Sequence, residues 1–264
     1  MSDPVVLKKR EGAVTLLTLN RPDRHNAWTH ELGELYFDLL DEAASDPDIR
    51  AIVVTGAGRG FCPGFDALAL KNSAAGKGSL PAKGRRMTHA MSIRKPIIGA
   101  INGACAGFGL VQAMHFDVRF AAEGAVFATA FTRWGLNAEY GASWLMPRIV
   151  GQTRAMDLIL SGRKFDAAEA ERIGLVNAVL PGDRLLEHAM AYARDLAEYC
   201  SRVAMADSKM QVLTDWDMER EATEDRAKAF SHTPGHRVDF AVGVACLFDK
   251  RPPRLANLPS RQAR

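Results

Sequence analysis

The stretch Pro96-Ile-Ile-Gly-Ala-Ile-Asn-Gly-Ala-Cys-Ala-Gly-Phe-Gly-Leu110 decides how this chain is read. Its β-branched residues Ile97, Ile98 and Ile101 predict a buried strand, and Asn102-Gly103 is a turn signal that ends it. Gly107, Phe108 and Gly109 lead into Leu110-Val-Gln-Ala-Met-His-Phe116, whose apolar spacing predicts a buried helix. A glycine turn between strand and helix leaves free backbone N–H groups at the positive end of the helix dipole. Such an end favours an anion, either a bound phosphate or an oxygen that becomes negative during a reaction. The alternative is a helix packed closely on its sheet through small residues.

Upstream, Ala13 to Leu19 reads as a strand ended by Asn20-Arg-Pro22. Thr29 is the predicted N-cap of a helix with Leu32, Leu35, Tyr36, Leu39 and Ala43 on one face. Asp46-Pro47 stops that helix, and Ala51 to Thr55 is a second buried strand. Strand, helix, strand is the start of an α/β fold with covered sheets. The loop Gly56-Ala-Gly-Arg-Gly-Phe-Cys-Pro-Gly-Phe-Asp66 follows, but it does not fit a dinucleotide-binding turn. The third glycine of G-x-G-x-x-G would fall on Phe61, and Cys62-Pro63-Gly64 interrupts the place where the helix should continue. Lys71 to Gly84, rich in Gly, Ser, Ala and Lys without a period, predicts a mobile surface loop. Arg85 to Ile93 predicts a helix, with Arg94 and Lys95 at its end either complementing the helix dipole or reaching a ligand phosphate.

Downstream, Asp117 to Ala121 and Ala125 to Ala128 read as short strands, and Gly141 to Val150 and Arg154 to Leu160 as helices. Asp166-Ala-Ala-Glu169 is a capping box, and Leu175 to Leu180 a last strand before Pro181-Gly182. From Arg184 onward the pattern is helical. The composition suits one large domain: 264 residues, 47% of them apolar, can bury a full core. No apolar run approaches a membrane span, and Met-Ser-Asp-Pro does not open a signal peptide. Cys62, Cys105, Cys200 and Cys246 are too far apart to form a metal-ligand pair and read as free thiols in a reducing cytoplasm. A net charge of +3 is too small for nucleic acid but suits an anionic small ligand.

Four stretches together resemble the crotonase superfamily, the enoyl-CoA hydratase/isomerase family. Asn20-Arg-Pro-Asp-Arg-His-Asn-Ala27 is similar to its N-R-P-x-x-x-N-A segment, and Phe61-Cys-Pro-Gly-Phe-Asp66 to its F-x-x-G-x-D loop. Ile101-Asn-Gly-x-x-x-Gly-Phe-Gly109 resembles the I-N-G-x-x-x-G-G-G turn, and Phe165 to Pro181 the segment F-x-A-x-E-A-x-x-x-G-L-V-x-x-V-x-P. With Phe248-Asp-Lys-Arg-Pro-Pro253 the likeness spans nearly the whole chain. It implies an α/β spiral of repeated β-β-α turns over residues 1–199 and a helical C-terminal oligomerisation region over 200–264. It also implies a homotrimer or dimer of trimers, and an acyl-CoA thioester as substrate with no cofactor beyond that coenzyme A. By position the oxyanion-hole N–H groups belong to Phe65 and Phe108, where a side chain is tolerable if the backbone conformation is kept. Arg24, His25 and Ala27 match the region that meets the CoA adenine. Gly64, Asp66, Leu68 and Gly107 lie on the two loops beside the thioester, with Asp66 also able to fix its own loop. Lys250 matches a tail position that either reaches a CoA phosphate from a neighbouring subunit or is solvated.

The two glutamates with which family hydratases place and deprotonate a water are replaced here by Val111 and Phe131. Neither can move a proton. Gly135-Leu-Asn-Ala-Glu139-Tyr-Gly141 is instead similar to the G-L-x-x-E-x-G of family isomerases, in which a single glutamate carries a proton from one carbon to another. The same place bears the nucleophile of related dehalogenases. Apolar Phe131, Trp134 and Trp144 nearby should raise the pKa of Glu139, and Phe131, Trp134 and Tyr140 are candidates to line the acyl pocket. Glu139 could instead cap the helix beginning near Gly141. His89 reads as a surface residue or an acyl-pocket residue, and His115 and Asp117 as structural. The resemblance thus favours an enoyl-CoA isomerase. An atypical hydratase, or a thioester hydrolase, decarboxylase or dehalogenase, is the alternative.

Overall fold

The computed structural model describes residues 3–77, 84–253 and 255. Strand β1 (Val6–Glu11) pairs antiparallel with β2 (Val14–Leu19). Helix α1 (His30–Ser45) follows, its first turn held by the Thr29 hydroxyl, which accepts the Leu32 N–H. Such a cap typically contributes about 1 kcal/mol. Three β-β-α turns come next: β3 (Ala51–Gly56), β4 (Gly60–Cys62) and α2 (Ala67–Ala74); β5 (Ile97–Ile101), β6 (Ala104–Ala106) and α3 (Phe108–Met114); β7 (Val118–Ala122), β8 (Val126–Ala128) and α4 (Ala142–Val150). Helix α5 (Gln152–Ser161), β9 (Lys164–Asp166), α6 (Ala167–Arg172) and β10 (Ala178–Leu180) close the spiral. The chain ends in α7 (Gly182–Tyr199), α8 (Arg202–Thr214), α9 (Arg220–Ser231) and α10 (Pro234–Phe248).

Each turn gives one strand to each of two sheets. The larger has the order β1-β2-β3-β5-β7-β10 and is parallel from β2 onward; the smaller has the order β4-β6-β8-β9. In β3, Ile52 and Val54 pack into the main core between the sheets, while Ala51 and Val53 face α7 through Leu185, Ala189 and Met190. That alternation is why the strand reads as a continuous apolar run: both of its faces are covered.

Three expectations need correction. Lys71 to Ala74 belong to α2 rather than to a loop, because the Asp66 carboxylate accepts the Leu68 N–H and starts a helix there; residues 78–83 of that predicted loop lie outside the described residues. Of Arg85 to Ile93, only His89–Ser92 forms a single 3-10 turn. Arg85 reaches Asp38 at 2.6 Å and Asp41 at 2.9 Å on α1, and these pairs tie the segment across that helix. Leu175 and Val176 are buried but unpaired with a strand, since the Leu175 carbonyl accepts Arg119 Nε at 2.7 Å and only Ala178–Leu180 join the sheet.

Close packing of α3 on the end of β4 rests on Gly109. A Cβ there would lie 2.0 Å from the Cys62 carbonyl oxygen, on backbone that cannot step aside cheaply. Gly109→Ala should therefore cost about 3 kcal/mol or more, beyond ordinary overpacking. Urea unfolding monitored by circular dichroism checks this, and a loss under about 1 kcal/mol would contradict the contact.

Candidate active site

Strands β4 and β6 are parallel neighbours, so the loops leaving their carboxyl ends emerge side by side. Ligands of parallel sheets bind beyond such ends. The β4 loop is Pro63 to Asp66, and the β6 loop is the Gly107 turn into α3. They touch: the position a Cβ of Gly64 would take is 3.5 Å from the Phe108 backbone nitrogen.

Each loop is fixed on its far side. Trp28 N–H donates to the Gly64 carbonyl at 2.7 Å, and Asp66 N–H donates to the Trp28 carbonyl at 2.9 Å. This bridge brackets Phe65, whose own N–H therefore points away from Trp28, as the pattern of parallel pairing requires. Gly107 N–H donates to the Ala128 carbonyl at 2.9 Å, and Phe108 is the first residue of α3, where an N–H has no intrahelical acceptor. Neither the Phe65 nor the Phe108 amide has a hydrogen-bond acceptor among the described residues. Their rings stack at 4.5 Å and 12°. The Phe108 ring also meets Trp28 edge-on at 4.9 Å, and Phe65 is half-buried.

The third wall comes from the turn before α4. The Tyr140 ring packs edge-on against Phe108 at 5.1 Å and Phe65 at 5.8 Å, which holds the turn that bears Glu139 beside the two loops. Glu139 is half-buried and does not cap α4: the N-cap is Gly141, with no side-chain cap bond, and it is the Glu139 main-chain carbonyl that accepts the Ala142 N–H. Its carboxylate has no hydrogen-bond or ion-pair partner among the described residues. Burial, and then the charge of Glu139, push the Tyr140 phenol above its ordinary range, so it stays neutral.

Other sequence candidates fall into two groups. Val111 and Phe131 are core residues, 0% and 5% exposed. Trp134 is 76% exposed and Leu68 64%, so neither is packed into an acyl pocket wall of this chain. Asp66 caps α2 and also meets Arg21 at 3.1 Å; burial raises its pKa, but the Leu68 N–H and the Arg21 and Arg24 charges outweigh that and hold it low. Arg24 and His25 are exposed and Ala27 buried on the loop before Trp28. Lys250 is exposed beyond α10. His89 Nε2 is 2.6 Å from Asp41.

Two residues that no expectation singled out tie these loops together. Arg21 joins Asp66 to the Ala27 carbonyl, and fully buried Asn26 donates to Ala57 and Gly60 carbonyls at 3.0 and 2.7 Å. Their signal was their place inside the Asn20-to-Ala27 motif.

A cavity of about 900 Å³ opens elsewhere, at the amino ends of β3 and β5. Its cations are spent on structure. Lys95 donates to the Ala43 and Asp46 carbonyls at the end of α1, Arg50 to Cys200 at the end of α7, and Arg94 pairs with Asp207. Among the described residues no group of histidine, cysteine or acidic side chains could hold a metal, and no helix is long and apolar enough to cross a membrane.

Buried His115 carries a stability signature. Burial lowers its pKa from 6.5 to about 4, so the unfolded chain binds a proton that the folded chain refuses. Its contribution is fully present above pH 6.5 and is lost as pH falls toward 4, up to about 3 kcal/mol at the low end. Denaturant midpoints measured through that window should fall with pH in the native chain and fall less in His115→Gln.

Residues 9–257 match the family model described as enoyl-CoA hydratase/isomerase. The 1,2-epoxyphenylacetyl-CoA isomerase of Escherichia coli (strain K12) is 32% identical over 264 residues, covering 94% of this chain and 97% of that protein. A probable enoyl-CoA hydratase of Mycobacterium tuberculosis is 39% identical over 210 residues, covering 77% and 79%. Among solved structures, a probable enoyl-CoA hydratase/isomerase from Mycobacterium abscessus superimposes with a TM-score of 0.85 at 31% identity, covering 95% of this chain and 98% of that one. With its paired sheets, adjoining glycine turns and a match over nearly the whole chain, this chain belongs to the enoyl-CoA hydratase/isomerase family.

Proposed function

We propose that this protein is an enoyl-CoA isomerase that holds a thioester oxygen at the Phe65 and Phe108 amides and moves one proton with Glu139. The observation that carries the reading is the packing of the Glu139–Tyr140 turn against the rings of those same two residues. Glu139 takes a proton from the carbon next to the thioester of a β,γ-unsaturated acyl-CoA. The C–H electron pair delocalises directly onto the thioester oxygen on one side and through the β,γ double bond onto the γ carbon on the other, and the two amides stabilise the oxygen of the resulting dienolate. Each such donor is typically worth about 3 kcal/mol. Protonated Glu139 returns its proton at the γ carbon, the double bond moves into conjugation, and no water is added. Val111 and Phe131 leave no second carboxylate at the places where a hydratase would need one. The Escherichia coli relative, named an isomerase of a CoA thioester, supports this direction.

The reading includes a homotrimer, or a dimer of trimers, assembled through the C-terminal helices. Phe240 and Phe248 on α10 are 74% and 80% exposed, an unfavourable state for rings of that size in water.

Two measurements test the reading. Glu139→Gln should lower turnover by about 10³-fold, within the range set by loss of a general base, while CoA-ester affinity stays within about threefold. Wild-type product should be a conjugated enoyl-CoA; a 3-hydroxyacyl-CoA, or unchanged turnover in the variant, would overturn the assignment. For assembly, light scattering should report a trimer or hexamer for the native chain and a smaller species for Phe240→Asp with Phe248→Asp, and a native monomer would exclude it.

A further inference from the structure

Helix α3 starts at Phe108, and His115 is the C-cap that follows its last residue, Met114. The His115 side chain is 3% exposed. Its Nε2 lies 3.3 Å from the Tyr140 carbonyl oxygen, and its Nδ1 has no partner among the described residues. A neutral imidazole carries one N–H, and only a proton on Nε2 gives that carbonyl a donor. The ring's depressed pKa agrees with a neutral form at physiological pH.

The carbonyl it meets belongs to a peptide between two left-handed residues, Tyr140 at φ 54° and Gly141 at φ 86°. For tyrosine that conformation costs about 1–2 kcal/mol, and it persists only where the surroundings hold it. Two contacts do so: the aromatic wedge on the Tyr140 ring and the His115 donor on its carbonyl. Glu139 is the residue immediately before this peptide.

We propose that His115 is a positioning residue: its Nε2–H pins the Tyr140–Gly141 peptide and so aims the Glu139 carboxylate. One short helix then spans both requirements of the site, with an oxyanion amide at its start and the clasp on the base-bearing turn at its end. The seven residue steps from Phe108 to His115 fix that separation at about 10 Å along the axis. The proposal rests on Glu139 being the base.

The test compares His115→Leu, which removes the donor, with His115→Gln, whose amide can supply one, each in native and Glu139→Gln backgrounds. In the native background, His115→Leu should lower kcat by about 10–100-fold with KM changed by less than about threefold, because misaiming by about 1 Å has that effect on chemistry. His115→Gln should recover most of kcat. In the Glu139→Gln background, His115→Leu should leave the residual rate unchanged, since it acts through the missing group. Nitrogen chemical shifts of the His115 ring should report the Nε2–H tautomer. A kcat within about threefold of native in His115→Leu, an equal loss in both His115 variants, or the Nδ1–H tautomer overturns the proposal. Full activity of Glu139→Gln would instead remove the base assignment on which the proposal rests.

Discussion

The site depends on a backbone-to-backbone contact. Where β4 and β6 end, Gly109 sits against the Cys62 carbonyl and Gly64 against the Phe108 nitrogen, so two turns that are far apart in sequence share one corner. A developing negative charge is stabilised most when its donors are already in place, because turning dipoles during the reaction costs part of what they give back. The Trp28 bridge to Gly64 and Asp66 and the Gly107 bond to Ala128 immobilise each turn from behind. The Phe65 and Phe108 amides are thereby bracketed by hydrogen bonds in which they take no part.

Aromatic rings do the rest of the enclosing. Phe108 packs against Phe65, Tyr140 and Trp28, stacked or edge-on, so one side of the corner is lined by rings. In such surroundings electrostatic interactions are stronger than in water. Phe108 shows how a bulky residue fits at a glycine-rich turn: it is the first residue of α3, its φ is not left-handed, and its ring drops into the core at 2% exposure. The left-handed conformation is taken by Gly107, which carries no side chain to oppose it.

Helix α7 is held on the larger sheet by an apolar face, Leu185, Ala189, Met190 and Ala193, whereas charged pairs tie the segments after it to the core. Lys209 meets Asp117 at 2.8 Å, Arg94 pairs with buried Asp207, and Arg50 reaches the Cys200 carbonyl. Asp117 in turn accepts the Ile97 N–H at 2.7 Å, so the start of β5, the strand that leads toward the Gly107 turn, is linked to α8. Val238, Phe240, Leu247 and Phe248 of α10 are exposed, while Cys246 of the same helix is buried.

Sequence alone determined the strands β2, β3 and β5, the Thr29 and Asp166 caps, and the family, because alternation, capping and glycine turns are local properties of a few neighbouring residues. It also showed that Val111 and Phe131 cannot move protons. Only the tertiary structure decided which side chains meet. The three-residue strands β4, β6 and β9 are too short to carry a period, and their pairing comes from sheet closure. Trp134 reads as a pocket wall but lies 76% exposed, while His115 reads as structural and lies against the turn that bears Glu139. Burial and long-range contact depend on how distant segments pack, and no spacing along the chain records that.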